Sequence, residues 1–278
     1  MPEHHVAGLG DPAHGEPTFQ IGVLFHDNLD LLSETLPRCL HALTGATRES
    51  YEVVLHADGT PDDVAGELPG LLAAWGIDEL RIRRREQAVA SGDGSNNGHR
   101  RFFPCRSPYL IVIEDDVVAY LTEPSFDVLG ACRELFERHP DVPVLSRVDD
   151  VDQWSWPLAD RGMPIEPGVR SVNRLSTHLI AYDVARFTGP ARRFGAFDLD
   201  VFIDRDDLSY NWEDLVSHVG TTGRRRIAFP QSWPLHVFHC DRKREAGSMW
   251  HTQDPHVKAA VLAELNERFE SDGERVAR

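Results

Sequence analysis

The chain has 278 residues, an ordinary length for a single α/β enzyme, and its 41% hydrophobic content is enough for a sizeable core. A formal charge of -16 argues against nucleic acid as a general partner, because phosphate backbones are met by Lys and Arg. No apolar run approaches the ~20 residues of a membrane span, and no basic start precedes an apolar core, so the expectation is a cytoplasmic protein without a leader or transmembrane segment.

Residues 1–17 are rich in Gly, Pro and His and poor in large apolar side chains, and they read as a mobile tail. Phe19 to Phe25 reads as a first strand. After His26-Asp27-Asn28, Leu29, Leu32, Leu36, Leu40 and Leu43 recur at helical spacing, with Pro37 as a candidate bend. Tyr51 to Leu55 is the second strand and ends in Asp58-Gly59-Thr60, which reads as a turn. Pro61-Asp62-Asp63 opens a second helix, with Gly66, Pro69 and Gly70 as candidate interruptions. Leu80 to Ile82 is a third strand, running into Arg83-Arg84-Arg85. Ser91 to Gly98 is a loop without the Gly-Lys-Ser ending of a phosphate loop, and it leads into a short helix at His99 to Phe103.

The next stretch organises the rest. Tyr109-Leu-Ile-Val-Ile113 is a β-branched apolar run that ends abruptly in Glu114, Asp115 and Asp116. Charge beside a core strand is costly unless it is paired or coordinates a metal. At the carboxyl edge of an open α/β sheet, an oxygen-rich set of this kind suits Mg²⁺ or Mn²⁺, and a cation held there can carry a diphosphate. Beyond it, Pro124 to His139 reads as a helix and Val142 to Val148 as a strand. Residues 149–173, rich in Pro, Gly and Trp, read as a long irregular segment whose Trp154 and Trp156 suit a binding surface. Leu175 to Tyr182 resembles a strand, and Asp183 to Phe194 a helix stopped near Gly189-Pro190. Asn211 to Val219 reads as a helix, Ile227 to Phe229 and Leu235 to Phe238 as strands, and Val257 to Phe269 as a closing helix. The four widely spaced cysteines form no Cys-x-x-Cys pair and read as reduced thiols.

Alternating strands and helices predict an α/β fold with a mixed, mostly parallel sheet. Four pieces in this order resemble the GT-A nucleotide-sugar glycosyltransferases, family 2 in particular: the opening strand and helix, Asp58-Gly59-Thr60, Asn97-Gly98 before a helix, and the acidic triplet. Ile113-Glu-Asp-Asp-Val117 is also similar to the metal motif of the N-acetylglucosaminyltransferase I type, and Trp212-Glu-Asp falls where both groups carry a catalytic carboxylate. The resemblance spans roughly residues 19–240.

It implies a metal-dependent, inverting transfer from a nucleotide-diphosphate sugar, expected to be UDP-linked, to a soluble or peripheral acceptor hydroxyl. Asp116 would bind Mn²⁺ or Mg²⁺, with His239 as a further metal ligand. Asp58, Asn97, Arg101, Glu114 and Asp115 would bind the nucleotide-sugar. The general base is Asp214 by family 2 registry and Glu213 by the other. For His236, His239 and Cys240, packed histidines with an inert thiol, or a zinc site, are the other readings. The expected division is a catalytic domain over 18–245, with a nucleotide half at 18–120 and an acceptor half at 121–245. Residues 246–278 would form a lid and a helix, and Arg242, Lys243 and Arg244 fall just before them. A nucleotidyltransferase is a rival, though His26-Asp-Asn-Leu29 stands where its Gly-rich loop would be. A non-catalytic nucleotide-sugar binder is another, kept open by Ala57 where family 2 often has a second Asp.

Overall fold

The structure, a computed structural model, describes residues 5–6, 16–27, 29–84, 98–147, 162–172, 175, 177–192 and 212–239. Its strands are β1 (His5–Val6), β2 (Phe19–Phe25), β3 (Tyr51–Thr60), β4 (Glu79–Arg84), β5 (Tyr109–Glu114), β6 (Val117–Leu121), β7 (Val144–Ser146), β8 (Pro164–Glu166), β9 (Val169–Val172), β10 (Leu179–Asp183), β11 (Ile227–Phe229) and β12 (Leu235–His239). The helices are α1 (Leu29–Thr44), α2 (Asp62–Trp75), α3 (Val128–Arg138), α4 (Val184–Ala191) and α5 (Trp212–Thr221), with a 3-10 turn over His99–Phe102.

Among the described residues, ten strands form one sheet in the order β1-β4-β3-β2-β5-β10-β7-β11-β9-β8, and β6 pairs with β12 separately. Strands β4, β3, β2 and β5 are mutually parallel. Strand β10 is antiparallel to both β5 and β7, while β11 runs parallel to β7. The sheet is therefore mixed, and its central strands share a carboxyl edge apart from β10, which enters the sheet at that edge.

The apolar run of β5 is explained by burial on both faces, as expected for a parallel strand covered on either side. Ile111 and Ile113 belong to a core shared with Leu36 and Leu43 of α1, Leu68 of α2 and Phe136 of α3. Leu110 and Val112 face the other core, with Phe102, Phe187 of α4 and Val216 of α5. Strand β10 alternates in the same way, Leu179 and Ala181 to the first core, Ile180 and Tyr182 to the second.

Several boundaries differ from the sequence reading, each for a local reason. Asp58-Gly59-Thr60 is not a turn beyond the strand: it continues β3 beside β4, with a register shift between Asp58 and Thr60 where Gly59 takes φ +68°. Pro37 and Pro69 lie inside α1 and α2 on solvent-exposed faces, where carbonyls without a helical partner can meet water, so neither ends its helix. Helix α3 starts at Val128 and not near Pro124, because Asp127 accepts the Gly130 N–H (2.8 Å) and sets the cap there. Helix α4 ends at Ala191, directly after Gly189-Pro190, as the sequence reading has it. The segment read as irregular contains a hairpin, β8–β9, turned by Gly168 at φ +77°. The loop over 85–97, Trp154 and Trp156, the basic residues 242–244, and the expected lid and closing helix over 246–278 lie outside the described residues.

Gly22 sits in the middle of β2, and a Cβ there would meet the buried Phe102 ring at 2.7 Å. Overpacking of this kind costs about 1–3 kcal/mol, so Gly22→Ala is expected to lower the chemical-denaturation midpoint accordingly. An unchanged midpoint would show that the turn carrying Phe102 moves aside freely.

Candidate active site at the carboxyl edge

Alternation along β5 puts Glu114 on the same face as Leu110 and Val112, the face of the 3-10 turn and α5. Strand β10 pairs antiparallel with β5, Leu179 opposite Ile113, so the residue entering β10, His178, stands opposite Glu114. The side chains meet there. His178 Nδ1–H donates to Glu114 Oε2 (2.9 Å), and His99 Nε2–H, from the 3-10 turn, donates to Glu114 Oε1 (3.2 Å). All three side chains are buried, His99 completely. Burial alone would raise the Glu114 carboxyl, but the hydrogen bonds from His178 and His99 outweigh it and hold it well below the usual carboxylate range.

Gly98 leads into that turn, and a Cβ on it would meet Leu24 Cδ1 at 2.5 Å. Leu24 pairs with Glu114 in the sheet, so the close approach of Gly98 to β2 helps to bring His99 to the carboxylate. Asn97 lies outside the described residues. Arg100 is buried, and Arg101 is partly buried with its carbonyl accepting from Arg81 Nη1 (3.4 Å).

Asp115 and Asp116 occupy the turn between β5 and β6, and this turn is fastened to α1. The Thr35 hydroxyl donates to the Asp115 carbonyl (3.0 Å), and the Cys39 thiol bridges the Val117 carbonyl and the Ala119 N–H (both 3.2 Å). Burial pushes the Cys39 thiol up to about 12, so it serves here as a neutral packing group. Asp115 Oδ2 accepts the His26 backbone N–H (3.0 Å). Burial and then the neighbouring Asp116 charge push Asp115 well above the usual carboxylate range, with the His26 bond opposing them. Crowded carboxylates of this kind are relieved by a bound cation.

His26 in turn is pinned to the end of β3. Its Nδ1–H donates to the Asp58 carbonyl (2.7 Å), and the Thr60 hydroxyl donates to the His26 carbonyl. A recess open to solvent is lined by Leu24, Phe25, His26, Asp58, Glu114, Asp115 and Asp116. Asp58 and the triplet therefore share one recess.

One further strand reaches this edge. Strand β12 pairs with β6 so that the backbone of His239 lies opposite Val117, the residue after Asp116; the His239 side chain is outside the described residues. Helix α5 begins at Trp212, which puts Glu213 and Asp214 in its first turn, their side chains also outside the described residues. Trp212 is fully buried, and its Nε1–H donates to the Tyr182 hydroxyl (3.0 Å). Burial chiefly pushes the Tyr182 phenol up, with the Trp212 bond opposing and the Glu114 charge adding. The start of α5 is thus anchored on Tyr182 of β10, which lies opposite Leu110 of β5.

Glu114, Asp116 and His178 each offer one ligand atom within 4.8 Å of the others. Two carboxylates and an imidazole suit a hard-to-borderline divalent cation such as Mn²⁺. No protein-family model and no curated protein matches the chain in sequence. Solved structures match in shape. A mannosyltransferase from Pyrobaculum calidifontis, solved with GDP-Man and Mn²⁺, aligns with 88% of this chain at TM-score 0.52 and 16% identity. TarS from S. aureus aligns with 91% at TM-score 0.51 and 14% identity. The fold is GT-A. The chain spans 61% of the length of the mannosyltransferase and 43% of TarS. Within this GT-A fold, no helix among the described residues is long and apolar enough to cross a membrane.

Proposed function

We propose that the chain is a metal-dependent glycosyltransferase that moves a sugar from a nucleotide-diphosphate donor, UDP-linked, to an acceptor hydroxyl with inversion. The observation that carries this reading is the convergence of Glu114, Asp116 and His178 at the carboxyl edge of a GT-A sheet. Asp116 holds Mn²⁺ or Mg²⁺ beside Glu114 and His178, with His239 approaching along β12. The bound cation supplies positive charge to the diphosphate as it leaves.

The remaining roles belong to the protein's own groups. Asp58, Asp115, Glu114, Arg101 and Asn97 would border the nucleotide-sugar. Asp214, in the first turn of α5, takes the proton from the acceptor hydroxyl as its oxygen attacks the anomeric carbon in line. The bond to the diphosphate breaks on the opposite side, which inverts the configuration, and the proton stays on Asp214 until it exchanges with water. Glu213 is the alternative base. The acceptor is a soluble or peripheral hydroxyl, and the protein is placed in the cytoplasm.

Incubation with a panel of UDP- and GDP-sugars and Mn²⁺ tests this directly, because such enzymes hydrolyse a donor slowly without an acceptor. Slow release of UDP is expected. Release of pyrophosphate from a nucleoside triphosphate and sugar phosphate would replace the proposal with a nucleotidyltransferase. Tight binding without turnover of any donor, with acceptors supplied, would replace it with a binding protein.

A further inference from the structure

We propose that His178 is an imidazole ligand of the cation held at Asp116, oriented by Glu114 and His99, and that it tilts the site towards Mn²⁺ over Mg²⁺. This rests on the metal-dependent reading above and assigns the residues that determine the metal's identity. Each Glu114 oxygen is met by one ring nitrogen, His178 Nδ1 at 2.9 Å and His99 Nε2 at 3.2 Å, and carboxylate oxygens accept, so the hydrogens of both bonds sit on the rings. That fixes the tautomer of neutral His178 with its lone pair on Nε2, the arrangement by which carboxylates prepare a histidine for a metal.

The geometry leaves little freedom. Glu114 is locked in the sheet between Leu24 of β2 and the entry to β10, and its second oxygen is held by the fully buried His99. His178 therefore has a fixed ring plane, and it lies within 4.8 Å of the Asp116 carboxylate by one ligand atom. In this arrangement Glu114 is a positioning residue, engaged through both oxygens by imidazoles. Imidazole nitrogen favours Mn²⁺ over Mg²⁺, whereas an all-oxygen set does not discriminate in that sense.

The test uses the full chain with Mn²⁺ alone and with Mn²⁺ plus UDP. Pulsed electron paramagnetic resonance of the wild type is expected to show ¹⁴N coupling from a directly bound imidazole. In His178→Gln the modulation depth should fall, and Mn²⁺ affinity should drop about 10- to 100-fold while Mg²⁺ affinity, read by competition, changes far less. His239→Gln separates the two histidines. Bound Mn²⁺ without ¹⁴N coupling in the wild type overturns the assignment whatever the variants do. So does coupling that survives undiminished in His178→Gln and disappears in His239→Gln. Equal losses for both cations overturn the selectivity role. A wild type that binds no divalent cation under either condition sinks the metal-dependent reading itself, and is thereby distinguishable from failure of His178 alone.

Discussion

In Asp116→Ala, the divalent-cation-dependent part of UDP affinity is expected to fall by about 10²-fold or more, since losing this ligand removes negative charge as well as a donor and should lie at or above the top of the 10- to 100-fold range of metal-site substitutions. Calorimetric titration with UDP, with and without Mn²⁺, reads this term by difference. The turn around Asp116 is held in part through backbone atoms. Thr35 and Cys39 fasten the turn through backbone atoms of Asp115, Val117 and Ala119. Asp115→Asn supplies the contrast, because an amide oxygen can still accept the His26 N–H, and a smaller loss is expected there. UDP binding that is metal-independent in the wild type and survives in Asp116→Ala would remove Asp116 from the site.

What could be read from the sequence was set by periodicity and by abrupt changes of chemistry. The run from Leu110 to Ile113 stands out because β5 is buried on both faces, and the triplet stands out because three carboxylates follow it without a polar approach. The helical spacing read over Asn211 to Val219 corresponds to α5, whose Trp212 indole is anchored on Tyr182. His178 was invisible for a topological reason. It was absorbed into an expected strand from Leu175 to Tyr182, whereas β10 starts at Leu179 and runs against its neighbours. A parallel strand would have carried residue 178 to the opposite edge of the sheet, and nothing local in Ser-Thr-His-Leu distinguishes the two. His99 could have been noticed, since it directly follows Asn97-Gly98, but its partner is fifteen residues away across a strand junction. Asp58 and Thr60 looked like turn residues because polar side chains at a strand end usually meet water. Here the end of β3 is buried instead, with its groups bonded to His26. The strand β6 was missed because Asp115 and Asp116, which form the turn before it, were read for their charge, although its five residues are all buried.

Asp214→Asn tests mechanism where Asp116→Ala tests binding. A general base acts on the acceptor proton as the glycosidic bond breaks, so its loss should leave the ground-state affinity for UDP nearly unchanged. Asparagine keeps the size and hydrogen-bonding capacity of the side chain but takes no proton near neutral pH. kcat is therefore expected to fall by about 10²-fold or more, the scale of a positioned acid–base group, with metal-dependent UDP affinity within about twofold of the wild type. Both acids lie in the first turn of α5, whose start is fixed by the Trp212–Tyr182 bond, so neither substitution should disturb the anchor. Glu213→Gln then decides the registry: it is the milder variant if Asp214 is the base, and the more severe one if Glu213 is. Steady-state rates with a competent acceptor, measured beside UDP titrations of the same preparations, separate these outcomes. Undiminished kcat in both variants would falsify the general-base role, and with it the single-displacement route from which inversion follows.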